Sequence, residues 1–447
     1  MKHRTRRGIR PIQILPLGFL LIILLGSLLL TLPMSRADGV RLSFFDALFT
    51  STSATCVTGL TVVTSSDFSA FGQIVLLLLM QVGGLGFMVM TAGLFLLVRK
   101  RTSLFERMTI AENFGESSLV GLRKLALSAM LYTFLTEAVG ALLLCFRFVP
   151  LYGARGLWLS VFHSVSAFCN AGFDLFGTNS LLSFVGDPLV SLVIMGLIVA
   201  GGIGFGVVID LGHVLFSRTP RPALHTKLVL SMTAGLIVVG TGLTLLFEWN
   251  NPYTLGPLSF GEKLLAASFQ SVTLRTAGFA TIDQAVLSEP SKLFGAIWML
   301  FGGSPAGTAG GLKTTTFVVL FFAVLSSLRG QTETRLGRNA LSNNLVVRAL
   351  SILLLGTLLL LTSTLVIAVL EAPLGLSLLD ILFEAASALC TVGLSVGVTA
   401  AVSNASRFVL ILLMYVGRVG LVTFALSLTK PRKVSPLRYP EKNIPLG

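Results

Sequence analysis

Charge is scarce in this chain: Asp, Glu, Lys and Arg make up 12% of its 447 residues, against roughly 25% in a soluble domain. The four cysteines are too few for a disulfide framework in a chain this large. The four histidines, His3, His163, His213 and His225, are scattered, and neither a His-rich metal motif nor a pair of catalytic carboxylates is present. An enzyme working within the membrane is therefore not expected. His163 is expected to make a local hydrogen bond rather than bind a metal. No segment has the composition of a sizeable soluble domain, so the chain should hold no nucleotide of its own, and nucleotide chemistry would have to come from a partner.

What the chain has instead is hydrocarbon, with 54% of its residues hydrophobic. The runs at 12–32, 71–98, 227–247 and 345–370 each approach or exceed the roughly 20 apolar residues that cross a bilayer. The first, at about 21 residues, is longer than the roughly 7 to 15 of a signal peptide and is read as the first span. The net charge of +14 would suggest nucleic acid in a soluble protein, but position explains it here. Of 33 Lys and Arg, 23 lie in five segments: the N-terminal ten residues, 99–124, 218–227, 329–348 and the tail from Lys430. Such segments belong on the cytoplasmic side. Both termini are therefore expected there, in a multi-pass protein of the plasma membrane that touches lipid and not nucleic acid.

A short motif recurs four times: LFTSTSATCVTGLT with Gly59, VFHSVSAFCNAGFD with Gly172, ASFQSVTLRTAGFA with Gly278 and LFEAASALCTVGLS with Gly393. The glycines are 113, 106 and 115 residues apart. Three residues before them the column reads Cys56, Cys169, Arg275, Cys390, and six residues before, Ser53, Ser166, Val272, Ser387. Each copy lies between two apolar stretches, the second ones being 71–98, 187–215, 291–325 and 407–428. The predicted fold is an all-α integral membrane protein with four helix, pore segment, helix repeats. Eight transmembrane helices and four re-entrant pore segments surround a central pore. The repeats are expected at 1–98, 99–217, 218–328 and 329–429, with a cytoplasmic tail at 430–447.

Irregular backbone at membrane depth is tolerated where it is buried in protein or lines an aqueous path. A glycine opens dihedrals closed to other residues and keeps a narrow passage clear. Four such segments around one axis could present rings of carbonyls, the device that replaces the hydration shell of an alkali cation. In potassium channels that strand contains Thr-Val-Gly, which Thr391, Val392 and Gly393 repeat. The expected filter is Val57, Thr58, Gly59; Asn170, Ala171, Gly172; Thr276, Ala277, Gly278; and Thr391, Val392, Gly393. Its carbonyls would hold potassium, with sodium a second cargo, since the Tyr-Gly completing the potassium-channel signature is absent and the filter is short. The helix before each segment should aim its C-terminal end at the pore. Asp174 and Asp283 are candidates for added negative charge at the outer mouth.

FCNAGFDLF (168–176), GTAGGLKTTT (307–316) and GRVGLVTF (417–424) are together similar to signatures of the Trk/Ktr/HKT superfamily of potassium-translocating membrane subunits. The resemblance is greatest to its KtrB branch and covers nearly the whole chain. It implies that Gly59, Gly172, Gly278 and Gly393 are the four filter glycines. In related plant proteins a serine at the first goes with sodium transport, so glycine implies the potassium-permeable type. The resemblance further implies a homodimer on a cytosolic ring of KtrA-type regulatory subunits, activated by ATP and inhibited by ADP. The basic loop 99–124 and the tail are candidates for touching that ring.

The third repeat carries FGGSPAGTAGGLKTTT (301–316) where its second helix should continue, and five glycines and a proline break a helix. The family has an intramembrane loop at this place, so 301–312 is read as a gate. Its residues are Gly302, Gly303, Ser304, Gly307, Thr308, Gly310, Gly311 and the following Lys313, with Arg418 below the filter. Leu312 separates Gly311 from Lys313, so the loop is not a phosphate-binding motif. Arg275 is expected to brace the filter from behind, with Glu384 a candidate partner. The alternative function is a secondary cation transporter coupled to sodium or protons, for which Glu137 and Asp210, both expected near helix ends, are the acids available.

Overall fold

The computed structural model describes residues 11–86, 122–177, 180–216, 221–337 and 339–428. Four long apolar helices meet the length and composition of a membrane span: α1 (Pro11–Leu30), α4 (Leu122–Tyr152), α8 (Leu224–Glu248) and α12 (Asn343–Leu370). They carry exposed Leu21, Leu131, Val238 and Leu354, as helices facing hydrocarbon do. Each opens one repeat and is followed by a shorter helix: α2 (Phe44–Thr55), α5 (Ala154–Cys169), α9 (Phe260–Thr273) and α13 (Leu378–Leu389). These four are lined with buried Ser, Thr and Ala, and all end three to five residues before their glycine.

The second helices are α3 (Ala70–Leu85), α6 (Pro188–Gly202), α10 (Glu289–Met299) and α15 (Asn404–Val419). The single turn α14 (Val398–Ala401) precedes α15. The N-cap residues of the four second helices are Ser69, Asp187, Ser288 and Ser403; the first two accept from backbone N–H groups of the first turn, and the last two make no such side-chain bond. In the third and fourth repeats a glutamate from the end of the first helix ties that cap down. Glu248 accepts from the Ser288 N–H at 2.9 Å, and Glu371 from the Ser403 N–H at 2.9 Å.

The helix of each repeat that precedes its glycine also packs on the second helix of the repeat before it. The pairs are α5 on α3, α9 on α6, α13 on α10 and, returning to the start, α2 on α15. The repeats thus close into a ring. Tyr415 Oη fastens the junction of fourth and first repeats by donating to the Pro16 carbonyl at 2.7 Å.

The second helices are not the continuous spans that their hydropathy predicts. After α6 the chain turns by 97° into α7 (Phe205–Phe216), and after α15 by 99° into α16 (Leu421–Leu428). α3 stops at Gly86, where φ is +78°; the rest of the predicted span, 87–98, lies outside the described residues. α10 ends at Met299 and the chain resumes as α11 (Thr314–Leu328) after an irregular loop. The physical reason is shared. Gly83-Gly84-Leu85-Gly86, Gly201-Gly202-Ile203-Gly204 and Gly417-Arg418-Val419-Gly420 put a glycine of positive φ at the break in three repeats (Gly86, Gly204, Gly420). The third repeat has Gly302-Gly303-Ser304-Pro305 instead.

Candidate functional site

The four short segments meet at one place. A Cβ built on Gly59 would lie 2.7 Å from the Ala171 carbonyl oxygen, one on Gly172 2.8 Å from that of Ala277, one on Gly278 2.7 Å from that of Val392, and one on Gly393 2.0 Å from that of Thr58. Every glycine therefore lies against the carbonyl that precedes the glycine of the next repeat, and the fourth returns to the first. The arrangement leaves no room for a side chain.

The backbone is wound the same way in all four. The glycines have φ of +100°, +70°, +83° and +94°, and the residues two before them, Val57, Asn170, Thr276 and Thr391, have φ of +56°, +58°, +69° and +53°. A left-handed conformation is uncommon for any residue but glycine and an outlier for a β-branched one. It costs about 1–3 kcal/mol and persists where the surroundings impose it. Here they do so four times over. Thr58, Ala171 and Val392 N–H donate to the carbonyls of Ser53, Ser166 and Ser387, each at 2.8 Å, and Ala277 N–H to that of Thr273 at 3.0 Å. The serine column adds a second tie. Ser53 and Ser387 hydroxyls accept from Gly59 and Gly393 N–H, both at 3.0 Å, while Ser166 donates to the Phe173 carbonyl at 2.7 Å. Where the third repeat has Val272, the adjacent Thr273 donates to the Phe279 carbonyl at 2.6 Å.

Beneath this ring lie the helix breaks. Gly83, Gly201 and Gly417 occupy equivalent places: a Cβ on each would sit 2.0 to 2.1 Å from the carbonyl of Thr55, Phe168 or Leu389, always four residues before the repeat's glycine. The next position reads Gly84, Gly202, Gly303 and, in the fourth repeat, Arg418. Arg418 donates to the Thr308 carbonyl at 2.5 Å, to that of Gly84 at 3.2 Å and to that of Gly83. It thus joins the breaks of the first and third repeats.

The loop at 301–312 is held on every side. Ser304 and Thr308 N–H donate to the carbonyls of Gly202 at 2.9 Å and Gly201 at 3.1 Å, and Thr308 Oγ1 to that of Phe168 at 2.9 Å. Lys313 Nζ folds back onto the Ala309 carbonyl at 2.8 Å. A Cβ on Gly310 would meet Thr391 Oγ1 at 1.8 Å and one on Gly311 the Cys390 carbonyl at 3.1 Å, so the loop abuts the fourth segment. Below it opens a cavity of about 450 Å³, lined by Phe19, Phe205, Lys313, Arg348, Arg418 and Thr423 among others.

Every sequence-predicted residue of the segments and of the loop thus falls in one of two stacked layers. Other expectations need correction. Glu384 does not meet Arg275. It accepts from Ser395 Oγ at 2.7 Å, Val396 N–H at 3.2 Å, Thr399 N–H at 3.1 Å and Thr399 Oγ1, because it lies outward of the glycine layer. Arg275 has Thr233 Oγ1 at 3.4 Å, with Nε unpartnered. Glu137 is in the middle of α4, buried, with Gln81 Nε2 at 3.1 Å. Asp210, within α7, holds the start of α8 through Ala223 N–H at 2.9 Å and Thr226 Oγ1 at 2.6 Å. Asp174 and Asp283 accept from Phe176 N–H at 3.0 Å and Ala285 N–H at 2.9 Å within their own loops. The loop 99–121 and the tail lie outside the described residues. What the sequence reading missed is that the second helices of the first, second and fourth repeats also end at a glycine of positive φ, in register with the loop predicted in the third.

Fold and site define a multi-pass helical membrane protein of four pseudo-equivalent repeats around one constriction. Its family follows from comparison: a family model described as a cation transport protein, TrkH, matches residues 12–434, and the chain belongs to that family, one of transporters and not of enzymes. It is 40% identical over 441 residues to the Ktr system potassium uptake protein B of Bacillus subtilis, covering 98% of this chain and 97% of the relative. The potassium/sodium uptake protein NtpJ of Enterococcus hirae is 38% identical over 452 residues, covering 100% and 99%. In three dimensions the chain superposes on the potassium transporter TrkH of Vibrio parahaemolyticus with a TM-score of 0.73 at 20% identity, covering 96% of this chain and 87% of that one.

Proposed function

We propose that this protein carries potassium into the cell through the ring of Val57–Gly59, Asn170–Gly172, Thr276–Gly278 and Thr391–Gly393, acting as a selectivity filter. The observation that carries the reading is the closed circuit in which each glycine abuts the carbonyl of the next repeat. Carbonyls gathered this closely at membrane depth are costly unless something replaces the water they have lost, and a desolvated cation does so. Thr58, Thr276 and Thr391 hydroxyls are buried without a partner in the same segments, and add uncommitted oxygens.

The loop at 301–312, with Lys313 and Arg418, is the gate. It lies directly under the filter, and Arg418 puts a fixed positive charge where a cation must leave. On this reading, opening requires the loop bonds to Gly201, Gly202, Phe168 and Arg418 to break. The membrane potential, roughly 2.3 kcal/mol per charge per 100 mV, drives the ion inward without chemical coupling. The repeat boundaries predicted from sequence, with both termini cytoplasmic, go with this reading. The Ktr system names of the relatives support a partner regulatory subunit; that it is a cytosolic KtrA-type ring binding ATP and ADP beneath a homodimer is what the family resemblance of the sequence implies, and it belongs to this proposal. The name of the Enterococcus relative supports sodium as a second cargo.

The test is flux of potassium or rubidium into liposomes bearing the purified protein, against sodium and chloride, for wild type and Gly59→Ser. Selective cation flux that loses selectivity in the variant is expected. Chloride current, or flux indifferent to the variant, would overturn the filter. Flux driven by a proton gradient alone would favour the coupled transporter instead.

A further inference from the structure

Nine residues before the four glycines stand Thr50, His163, Phe269 and Glu384, a column with no chemistry in common. Two of its members nevertheless do the same thing. His163 Nε2 accepts from the Leu175 N–H at 3.4 Å, and Glu384 accepts from the Val396 N–H at 3.2 Å. Leu175 and Val396 both lie three residues after their glycine. A side chain of the preceding helix thus reaches past the filter and holds the outgoing strand by the same backbone atom. Because the repeats follow one another around the ring, the second and fourth face each other across it.

We propose that His163 and Glu384 are a pair of opposed braces that position the outer layer of the filter and thereby set its discrimination between alkali cations. The inference rests on the filter reading above. Both side chains are fully buried. The roles of His163 follow from its surroundings: Nδ1 lies 2.7 Å from the Leu159 carbonyl, which only accepts, and Nε2 faces an N–H, which only donates. The imidazole is therefore neutral with its hydrogen on Nδ1. Its ring is fixed between Phe148 and Phe176, with centroids at 5.6 and 4.6 Å. Glu384 is held as firmly, since Ser395 Oγ, Thr399 N–H and Thr399 Oγ1 all point into its carboxylate.

The other diagonal lacks this device. Phe269 cannot accept a hydrogen bond, and the Thr50 hydroxyl has no partner. The third repeat uses the neighbouring pair Gln270 and Gln284, whose amides exchange hydrogen bonds at 2.7 and 3.1 Å beyond the glycine layer. In the second and fourth segments the outgoing strand is thus fixed by a side chain outside the filter itself. A carbonyl cage distinguishes ions by its size and the number of oxygens it offers, so loosening one diagonal should first affect selectivity and only then throughput.

The experiment measures the ratio of potassium to sodium flux in proteoliposomes for His163→Phe, His163→Gln, Glu384→Leu and Glu384→Gln, with thermal stability in detergent beside it. His163→Phe keeps a buried ring and loses the acceptor; His163→Gln keeps an acceptor. The expected result is a ratio lowered about threefold to tenfold in His163→Phe and Glu384→Leu, as for one lost buried hydrogen bond, with partial recovery in the two glutamine variants. Unchanged ratios in stable His163→Phe and Glu384→Leu would overturn the braces. Should those two not fold, Thr399→Val and Ser395→Ala decide from the other side of the Glu384 cluster: a lowered ratio supports the brace and an unchanged one overturns it. Wild-type flux without cation selectivity would instead defeat the filter reading, and so the two failures are distinguishable.

Discussion

The two layers of the proposed pathway, the outer with the four glycines and the inner with the helix breaks, treat the same four-fold repetition in opposite ways. In the glycine layer all four repeats agree, down to a left-handed residue at 57, 170, 276 and 391 and a carbonyl passed from each repeat to the next. In the layer of the helix breaks, three repeats present glycine (Gly84, Gly202, Gly303) and the fourth Arg418, while the third replaces its helix with a loop. A cage that replaces hydration water needs oxygens from every side, so no repeat can depart without opening a gap. A plug needs only one contributor, and a single long side chain from one repeat suffices to cross the axis. Symmetry persists where the chemistry needs all four copies and lapses where one is enough.

The sharpest way to break the comparison is to add a methyl group to the symmetric layer. Gly393→Ala places a Cβ 2.0 Å from the Thr58 carbonyl oxygen at a φ of +94°. Left-handed strain alone costs roughly 1–2 kcal/mol for an L residue, and backbone, not a flexible side chain, stands in the way. Potassium flux should fall by at least about tenfold in the liposome assay. Gly39→Ala has positive φ but open space around it, and should transport normally.

A smaller effect, of opposite sign, comes from making the inner layer symmetric. Arg418→Gly gives the fourth repeat the residue its siblings have and removes three hydrogen bonds to the carbonyls of Gly83, Gly84 and Thr308. Charged donors are worth about 1.5–3 kcal/mol each when buried, enough to take the loop to its fully open state, where flux levels off severalfold above wild type while the potassium to sodium ratio, set above, stays unchanged. A fall in both would mean that the two layers are one mechanical unit.

How far this division was legible in the sequence depends on the kind of signal. The outer layer was readable because four copies could be aligned on one glycine, and repetition turns a weak motif into a strong one. The loop at 301–312 was readable because glycine and proline there exceed what a helix tolerates. The breaks at Gly86, Gly204 and Gly420 were not read, because two or three glycines in an apolar run are compatible with a membrane helix. What breaks it is the positive φ that Gly86, Gly204 and Gly420 adopt, a backbone conformation that composition does not show. The partner of Glu384 was misjudged for a similar reason. An intramembrane arginine invites pairing with a carboxylate, and sequence distance gives no hint that four donors from 395–399 had already taken it.

Thr308→Val tests the loop more gently. It deletes the hydroxyl bonded to the Phe168 carbonyl and keeps the shape of the side chain. One net hydrogen bond, about 1 kcal/mol, should raise the open population, and so the flux, by about fivefold at most, with selectivity unchanged. Unaltered flux would show that the loop is held by its backbone bonds to Gly201 and Gly202 alone.

The smallest effect belongs to the outermost level, where repeats three and four share a glutamate tie and the first two do not. Burial favours the neutral acid at Glu371, but donors from Ser403 and Ser406 and the charge of Arg407 outweigh it and hold the carboxyl below its ordinary 4.5. A group whose folded value is depressed stabilises the fold above its unfolded value, and that contribution disappears as pH falls through the folded value. Thermal stability in detergent should therefore decline as pH drops below about 4.5. Glu371→Gln should be slightly less stable near neutrality and less sensitive to acid. Equal acid sensitivity in wild type and variant would assign the loss to other carboxylates.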